Sequence, residues 1–437
     1  MTTSTAAHKL HPRSAALLVV ANMIGAGVFT TSGFALADHS PSVVMLAWCV
    51  GGVLATCGAL CYGALGRCFP RSGGEYELLR QMLGPLAGFL AGWISLFAGF
   101  SAPIAIAAAV SETYLNSAFG IEAEAHLIGA TIVVVAGVLH ARGLQVGARA
   151  QDALVTFKLV FIAILVVAGV AAITARGGVA SPASEVAKPF EPSTFAVTCV
   201  WVSFSYSGWN AASYIAGEID VARASLTRIL IGGTLITTLA YLALNFVFVL
   251  AAPVGELAGQ ADIGVVAARA LSGPVAARVL AALVALAGVT SVTAMTMAGP
   301  RVYARMAEDG YLPRVIASVG GHRAAIALQV VLALLFLFWK ELSDLVQFAG
   351  WTLSLCSAAV VVGLLVTRLR RGAEAMPIAG WPFVPLIYLI STVGIAGFAF
   401  FRRTSEGLLG LSVVGAGLVV YCALRLFGLR GALSEQR

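Results

Sequence analysis

The 437-residue chain is 59% hydrophobic, only 11% charged, and carries a net charge of +7. A soluble domain holds about 25% charged residues, so the composition excludes a soluble enzyme and describes an all-α polytopic membrane protein. The basic residues are scattered between apolar runs rather than gathered in a patch, which removes nucleic acid as a partner.

A spanning helix takes about 20 apolar residues. Windows bounded by charge, Gly and Pro predict twelve transmembrane helices, at 14–37, 42–66, 84–115, 126–140, 151–173, 195–218, 229–252, 278–300, 323–339, 342–367, 382–401 and 407–426. His8, Lys9, His11 and Arg13 precede the first run, which is too long for a secretory signal and lacks a small-residue cleavage site. It reads as an uncleaved span. The third window must tilt or overhang, and the fourth is short. Seven cysteines, mostly inside the windows, make an odd set of small hydrophobes rather than a disulfide or metal framework.

With the N-terminus cytoplasmic, nineteen of the 27 Lys and Arg residues fall on the inner side and seven on the outer side. The positive-inside rule therefore predicts both termini in the cytoplasm. Lys158 belongs to neither group. It lies about eight residues into the fifth window, ~12 Å deep at 1.5 Å per residue. Depth and the want of a carboxylate partner in that window argue against snorkelling and for a functional role.

Two windows carry breaks. The first contains "NMIGAGVF" and the sixth "VSFSYSGWNAASYIAGE". Irregular backbone at membrane depth is tolerated only against protein or a cavity, and such breaks in corresponding places of two halves point to a carrier's binding site. Spans 1 and 6 are five helices apart, as an inverted repeat requires. A break after Met23 exposes the amides of Gly25, Ala26, Gly27 and Val28 to a carboxylate, and the carbonyls around Asn22 and Met23 to an ammonium group. That pairing suits an α-amino acid. The competing explanation of "GAG" is close helix packing through small residues.

Four stretches, "NMIGAGVF", "FPRSGGEYELLR", "FSYSGWNAASYIAGEI" and "GPRVYARMAEDGYLP", resemble the amino acid–polyamine–organocation transporters in order and spacing. The resemblance covers essentially the whole chain. It implies a single domain over 1–437 with the leucine-transporter-like five-plus-five inverted repeat: repeat 1 near 14–173, repeat 2 near 195–367, and extra helices near 382–426. Helices 1 and 6 would be discontinuous. It places the substrate carboxylate on the amides of Ala26 and Gly27, and the amine on the carbonyls of Met23, Phe204 and Ser207. Phe204 would cap the substrate. "SGWN" is most similar to the L-type branch, where the residue at Asn210 helps shape the side-chain pocket; for Trp209 and Asn210 plain helix contact is the rival account. In the eighth span Thr290 and Ser291 match hydroxyls that hold sodium in coupled relatives. In sodium-independent members a fifth-helix lysine stands there instead, which would make Lys158 the replacement cation. Backbone bonding within their own helix is the alternative for both hydroxyls.

Trp209 and Glu218 join Phe204 as gate candidates, Glu218 with Asp220, Arg223 and Arg228 in a network or a solvated loop. Glu112 is expected near the outer interface. No catalytic triad, zinc spacing or phosphate loop appears, so an enzyme is not expected, nor a cofactor. The expected function is a sodium-independent secondary transporter for neutral amino acids in a plasma membrane, coupled by proton symport or by amino acid exchange. Neutral substrates follow from the lack of an acidic side chain among these site residues. A cationic amino acid or polyamine antiporter is the alternative, and a non-transporting membrane scaffold the rival from another class.

Overall fold

The computed structural model describes residues 11–69, 71–121, 125–142, 148–177, 190–219, 225–317, 321–374 and 376–426. Among these residues the regular elements are helices throughout. The first broken segment consists of α1 (Pro12–Met23), one 3₁₀ turn (Gly27–Phe29) and α2 (Thr31–Leu36). Next come α3 (Pro41–Cys68), α4 (Gly74–Leu83) and α5 (Pro85–Ile94), which runs through a π-helical stretch, Ser95–Ser101, into α6 (Ala102–Phe119). α7 (Leu127–Ala141), α8 (Ala148–Ala175) and α9 (Pro192–Tyr206) lead to a 3₁₀ segment, Ala211–Glu218. α10 (Leu226–Leu250), α11 (Val254–Leu257), α12 (Ile263–Glu308), α13 (Arg314–Ala317), α14 (Gly321–Trp339), α15 (Leu342–Arg371), α16 (Phe383–Arg402) and α17 (Thr404–Leu426) complete the bundle.

Among the described residues nine helices are long and apolar enough to cross a membrane. The three predicted windows that fall short have physical reasons. The first and sixth are interrupted, and the fourth, α7, has only 15 residues. Two further departures come from glycines with positive φ. The eighth window sits inside the 46-residue α12, which turns at Gly273 (φ +83). Gly73 (φ +136) and Gly84 (φ +98) bracket α4, an amphipathic helix that the apolar windows passed over.

Small residues set the closest helix contacts, as expected where lipid gives no hydrophobic drive to association. A Cβ on Gly288 of α12 would stand 2.1 Å from Ser111 Oγ on α6, and the Ser111 hydroxyl reaches the Ala285 carbonyl at 3.2 Å. The outward faces stay apolar: Val167 on α8, Ile390 on α16 and Val419 on α17 are all exposed. Such a surface suits lipid. Pro103 has no amide to offer the Gly99 carbonyl, and the turn there widens into the π-helical stretch.

Glu112 is buried within the protein. Its carboxylate accepts from the His126 and Gly129 amides, each at 2.7 Å, and so caps the start of α7. Glu112→Ala is expected to reduce stability by about 1–2 kcal/mol, the cost of a lost helix cap, read as a lower unfolding midpoint in detergent.

Candidate functional site

α1 stops at Met23 because the next residues leave helical geometry at Ile24 (ψ 81). The Gly25 amide folds back to the Met23 carbonyl at 2.7 Å. The amides of Ala26, Gly27 and Val28 meet no protein acceptor among the described residues. α9 ends likewise. Ser207 is extended (ψ 146), and Gly208 takes a φ of +100 that only glycine adopts readily.

The two breaks touch. A Cβ on Gly208 would stand 2.7 Å from the carbonyl carbon and oxygen of Asn22, and one on Gly27 would stand 2.5 Å from Ser205 Oγ. Each break therefore supplies the glycine that admits the other chain. The Thr31 and Ser205 hydroxyls pair at 2.9 Å. From α10 the Tyr241 hydroxyl bonds to the Met23 carbonyl and reaches the Ser205 carbonyl at 3.0 Å, tying both helix ends to one side chain.

A cavity of about 570 Å³ begins at these breaks, with Asn22, Ser207, Asn210, Gly99 and Tyr388 in its wall. It runs to the end of the bundle where Ser72, Arg301 and Arg305 line it and are exposed. The other end is shut. Thr30, Thr31 and Ser32 are fully buried, the Gly259 amide bonds to the Gly33 carbonyl at 2.7 Å, and a Cβ on Gly33 would meet the Gln260 carbonyl oxygen at 1.8 Å. Among the described residues, access is from one side only.

Of the residues the sequence singled out, Ser207, Trp209 and Asn210 line the cavity. Met23, Gly25, Ala26 and Gly27 form the first break next to Asn22, and are themselves absent from the cavity wall. Trp209 stands edge-on to Tyr62, ring centres 4.7 Å apart. Phe204 packs against Gly350 of α15 and is absent from the cavity wall. Glu218 ends the 3₁₀ segment, but its side chain, with Asp220 and Arg223, lies outside the described residues.

Lys158 reaches the first break. Its Nζ lies 3.4 Å from the Ile24 carbonyl, and Thr290 lines the same small void. The Thr290 and Ser291 hydroxyls donate to the Ala287 carbonyl of their own helix, at 2.7 and 3.0 Å. The lysine and the hydroxyl helix thus face one another, with the hydroxyls bonded within α12.

Sequence reasoning missed Glu75. Gly73 and Gly74, both with positive φ, fold the chain back so that Glu75 is buried in the wall of the cavity. Oε1 accepts from the Tyr62 hydroxyl at 2.7 Å, Asn210 Nδ2 at 3.1 Å and the Ser357 hydroxyl at 3.1 Å. Cys356 Sγ lies 3.4 Å from Oε2. The available signal was the pair of glycines directly ahead of a carboxylate. Burial pushes the Glu75 carboxyl above its usual range, and the four hydrogen bonds pull against that. A raised folded-state value means a stabilising contribution present at low pH and lost as pH rises through it. The melting temperature of the protein relative to its Glu75→Gln variant should therefore rise as pH is lowered from 7 toward 4.5; a flat difference would contradict this.

The next residues join the second and fourth of the resembling stretches. The Tyr76 hydroxyl donates to Asp309, and Arg80 bridges Glu77 at 3.0 Å and Asp309 at 3.9 Å.

A membrane-type helical bundle with a one-sided cavity, headed by two touching helix breaks, is the arrangement of a solute carrier. Residues 10–417 match the amino acid permease family, and the chain belongs to it. It is 26% identical to the rat large neutral amino acids transporter small subunit 2 over 93% of this chain and 79% of that protein. It is 25% identical to the mouse b(0,+)-type amino acid transporter 1, covering 85% of this chain and 78% of that one. The mouse Asc-type amino acid transporter 1 is also 25% identical, over 93% of this chain and 79% of its own length.

Proposed function

We propose that the chain is a sodium-independent transporter of small or medium neutral amino acids, working by alternating access around the two breaks. The observation that carries this reading is the contact of Gly208 with Asn22, beside the unpaired amides of Ala26, Gly27 and Val28. Those amides suit the substrate carboxylate, and carbonyls at the two helix ends, with Ser207 among them, suit its ammonium group. Lys158 at the Ile24 carbonyl brings its amino group where a sodium-coupled carrier would bind its ion. Proton symport and amino acid exchange are the coupling modes compatible with that lysine.

The proposed topology has twelve spans, the five-plus-five inverted repeat with two added helices, and cytoplasmic termini in a plasma membrane, the inner one in a bacterium. The open cavity then faces the cytoplasm, because Arg301 and Arg305 stand at its mouth and basic residues favour that side. Glu75 brings an acidic group into the wall, which the expectation of neutral substrates had left out. Its engagement by four donors favours a structural acceptor over a receptor for a substrate's second positive charge. A thermal-shift screen of the twenty amino acids and common polyamines tests the reading, since a ligand bound by the folded state raises its stability. Stabilisation by neutral amino acids is expected; stabilisation by polyamines or cationic amino acids alone would overturn it.

A further inference from the structure

Glu75 and Asn210 form a pair whose hydrogen bonding fixes what the cavity presents to a ligand. Glu75 projects from α4. Its Oε1 collects donors from three other elements: Tyr62 on α3, Ser357 on α15, and Asn210 in the turn after α9. Among the described residues no Lys or Arg pairs with it. The Ser357 hydroxyl has a second acceptor, the Leu353 carbonyl at 3.0 Å, so Tyr62 and Asn210 are its dedicated donors.

Oε1 of Glu75 serves as an acceptor for all three donors, whereas a side-chain amide donates at one end and accepts at the other. Asn210 must therefore turn its NH₂ group to Glu75, as the 3.1 Å contact from Nδ2 shows. Its Oδ1 has no protein donor among the described residues, and it is not among the enclosed polar atoms left without partners. Asn210 is only partly buried and stands in the cavity wall three residues beyond Ser207.

We propose that Glu75 is a positioning residue that locks the Asn210 amide with its oxygen toward the cavity, so that the site prefers amino acids whose side chain carries a hydrogen-bond donor. Hydroxyl and carboxamide side chains satisfy that oxygen. Apolar side chains of the same shape desolvate it without replacing its lost water, which is the larger penalty in a polar pocket. This inference rests on the amino acid site proposed above and names the side-chain chemistry it selects.

The test compares L-threonine with L-valine, which differ by a hydroxyl in place of a methyl group. Dissociation constants are measured by thermal-shift titration of the purified full chain. The wild-type protein should bind threonine about tenfold more tightly than valine. Glu75→Met removes the acceptor with little change in volume, frees the Asn210 amide to turn, and should bring the ratio close to one. Asn210→Leu removes the acceptor and should do the same. If Glu75→Met fails to fold, Glu75→Leu also removes the acceptor and should give the same ratio. A general loss of structure would weaken both ligands together, so the ratio separates positioning from folding. Equal binding by the wild type, or a wild-type ratio retained in the Glu75 variants, overturns the inference while leaving the amino acid site standing. A wild type that binds no amino acid overturns both.

Discussion

Lys158→Ala is expected to abolish amino acid transport or to release it from its driving gradient, with the protein still folded. In the structure the ammonium group reaches the Ile24 carbonyl at 3.4 Å, one residue past the end of α1. α8 otherwise shows lipid an apolar face, with Phe157, Val160 and Ile164 exposed. A lysine in such a span costs about 2.5–3.5 kcal/mol on insertion scales. Removing it relieves that cost but strips the break of its cation and leaves the Ile24 carbonyl without this donor, a loss of about 1–3 kcal/mol for a buried acceptor. The two effects roughly cancel in stability. They do not cancel in function, because α8 loses its polar tie to the part of α1 that must move. Transport in proteoliposomes should fall at least tenfold, or proceed without regard to the imposed gradient. Unchanged rate and unchanged gradient dependence would remove Lys158 from the mechanism.

Gly208→Ala is expected to eliminate amino acid binding. Two penalties act together. A φ of +100 is unfavourable for any residue with a side chain, by about 1–2 kcal/mol. The new methyl group would also stand 2.7 Å from the Asn22 carbonyl carbon and oxygen, and backbone cannot swing aside as a flexible side chain can. The breaks must separate, taking Ser207 and Asn210 away from the amides at Ala26 and Gly27. Gly394→Ala is the control, since its methyl group would enter open space in the middle of α16, where alanine favours the helix by about 1 kcal/mol. Thermal-shift titration should show loss of ligand stabilisation in the first variant and its retention in the second. Binding retained by Gly208→Ala would mean that the contact between the breaks does not build the site.

What the sequence made legible follows from how each feature is encoded. Apolar windows located the long helices, because a lipid-facing helix needs an unbroken apolar run. Glycine and small polar residues within two such windows located the breaks, since membrane depth leaves few other reasons for them. Lys158 stood out for the same reason, and it does reach the first break. Glu75 did not stand out: its burial depends on the positive φ of Gly73 and Gly74 and on donors from Tyr62 and Ser357, far away in sequence. Phe204 lies near the end of α9, but its Cβ lies beside Gly350 of α15 and it is absent from the cavity wall, a placement set by packing between helices far apart in sequence. Thr290 and Ser291 are ambiguous for a related reason, because a hydroxyl in a helix always has its own backbone to bond.

The central claim is that the touching breaks hold an amino acid and pass it across the membrane. Uptake of a radiolabelled neutral amino acid into proteoliposomes, with and without an opposing amino acid or a proton gradient, tests it most directly. Saturable uptake that needs one of those two driving conditions, and does not need sodium, is the predicted result. No saturable uptake of any amino acid, or uptake that proceeds without a proton gradient, sodium or internal amino acid, would contradict it.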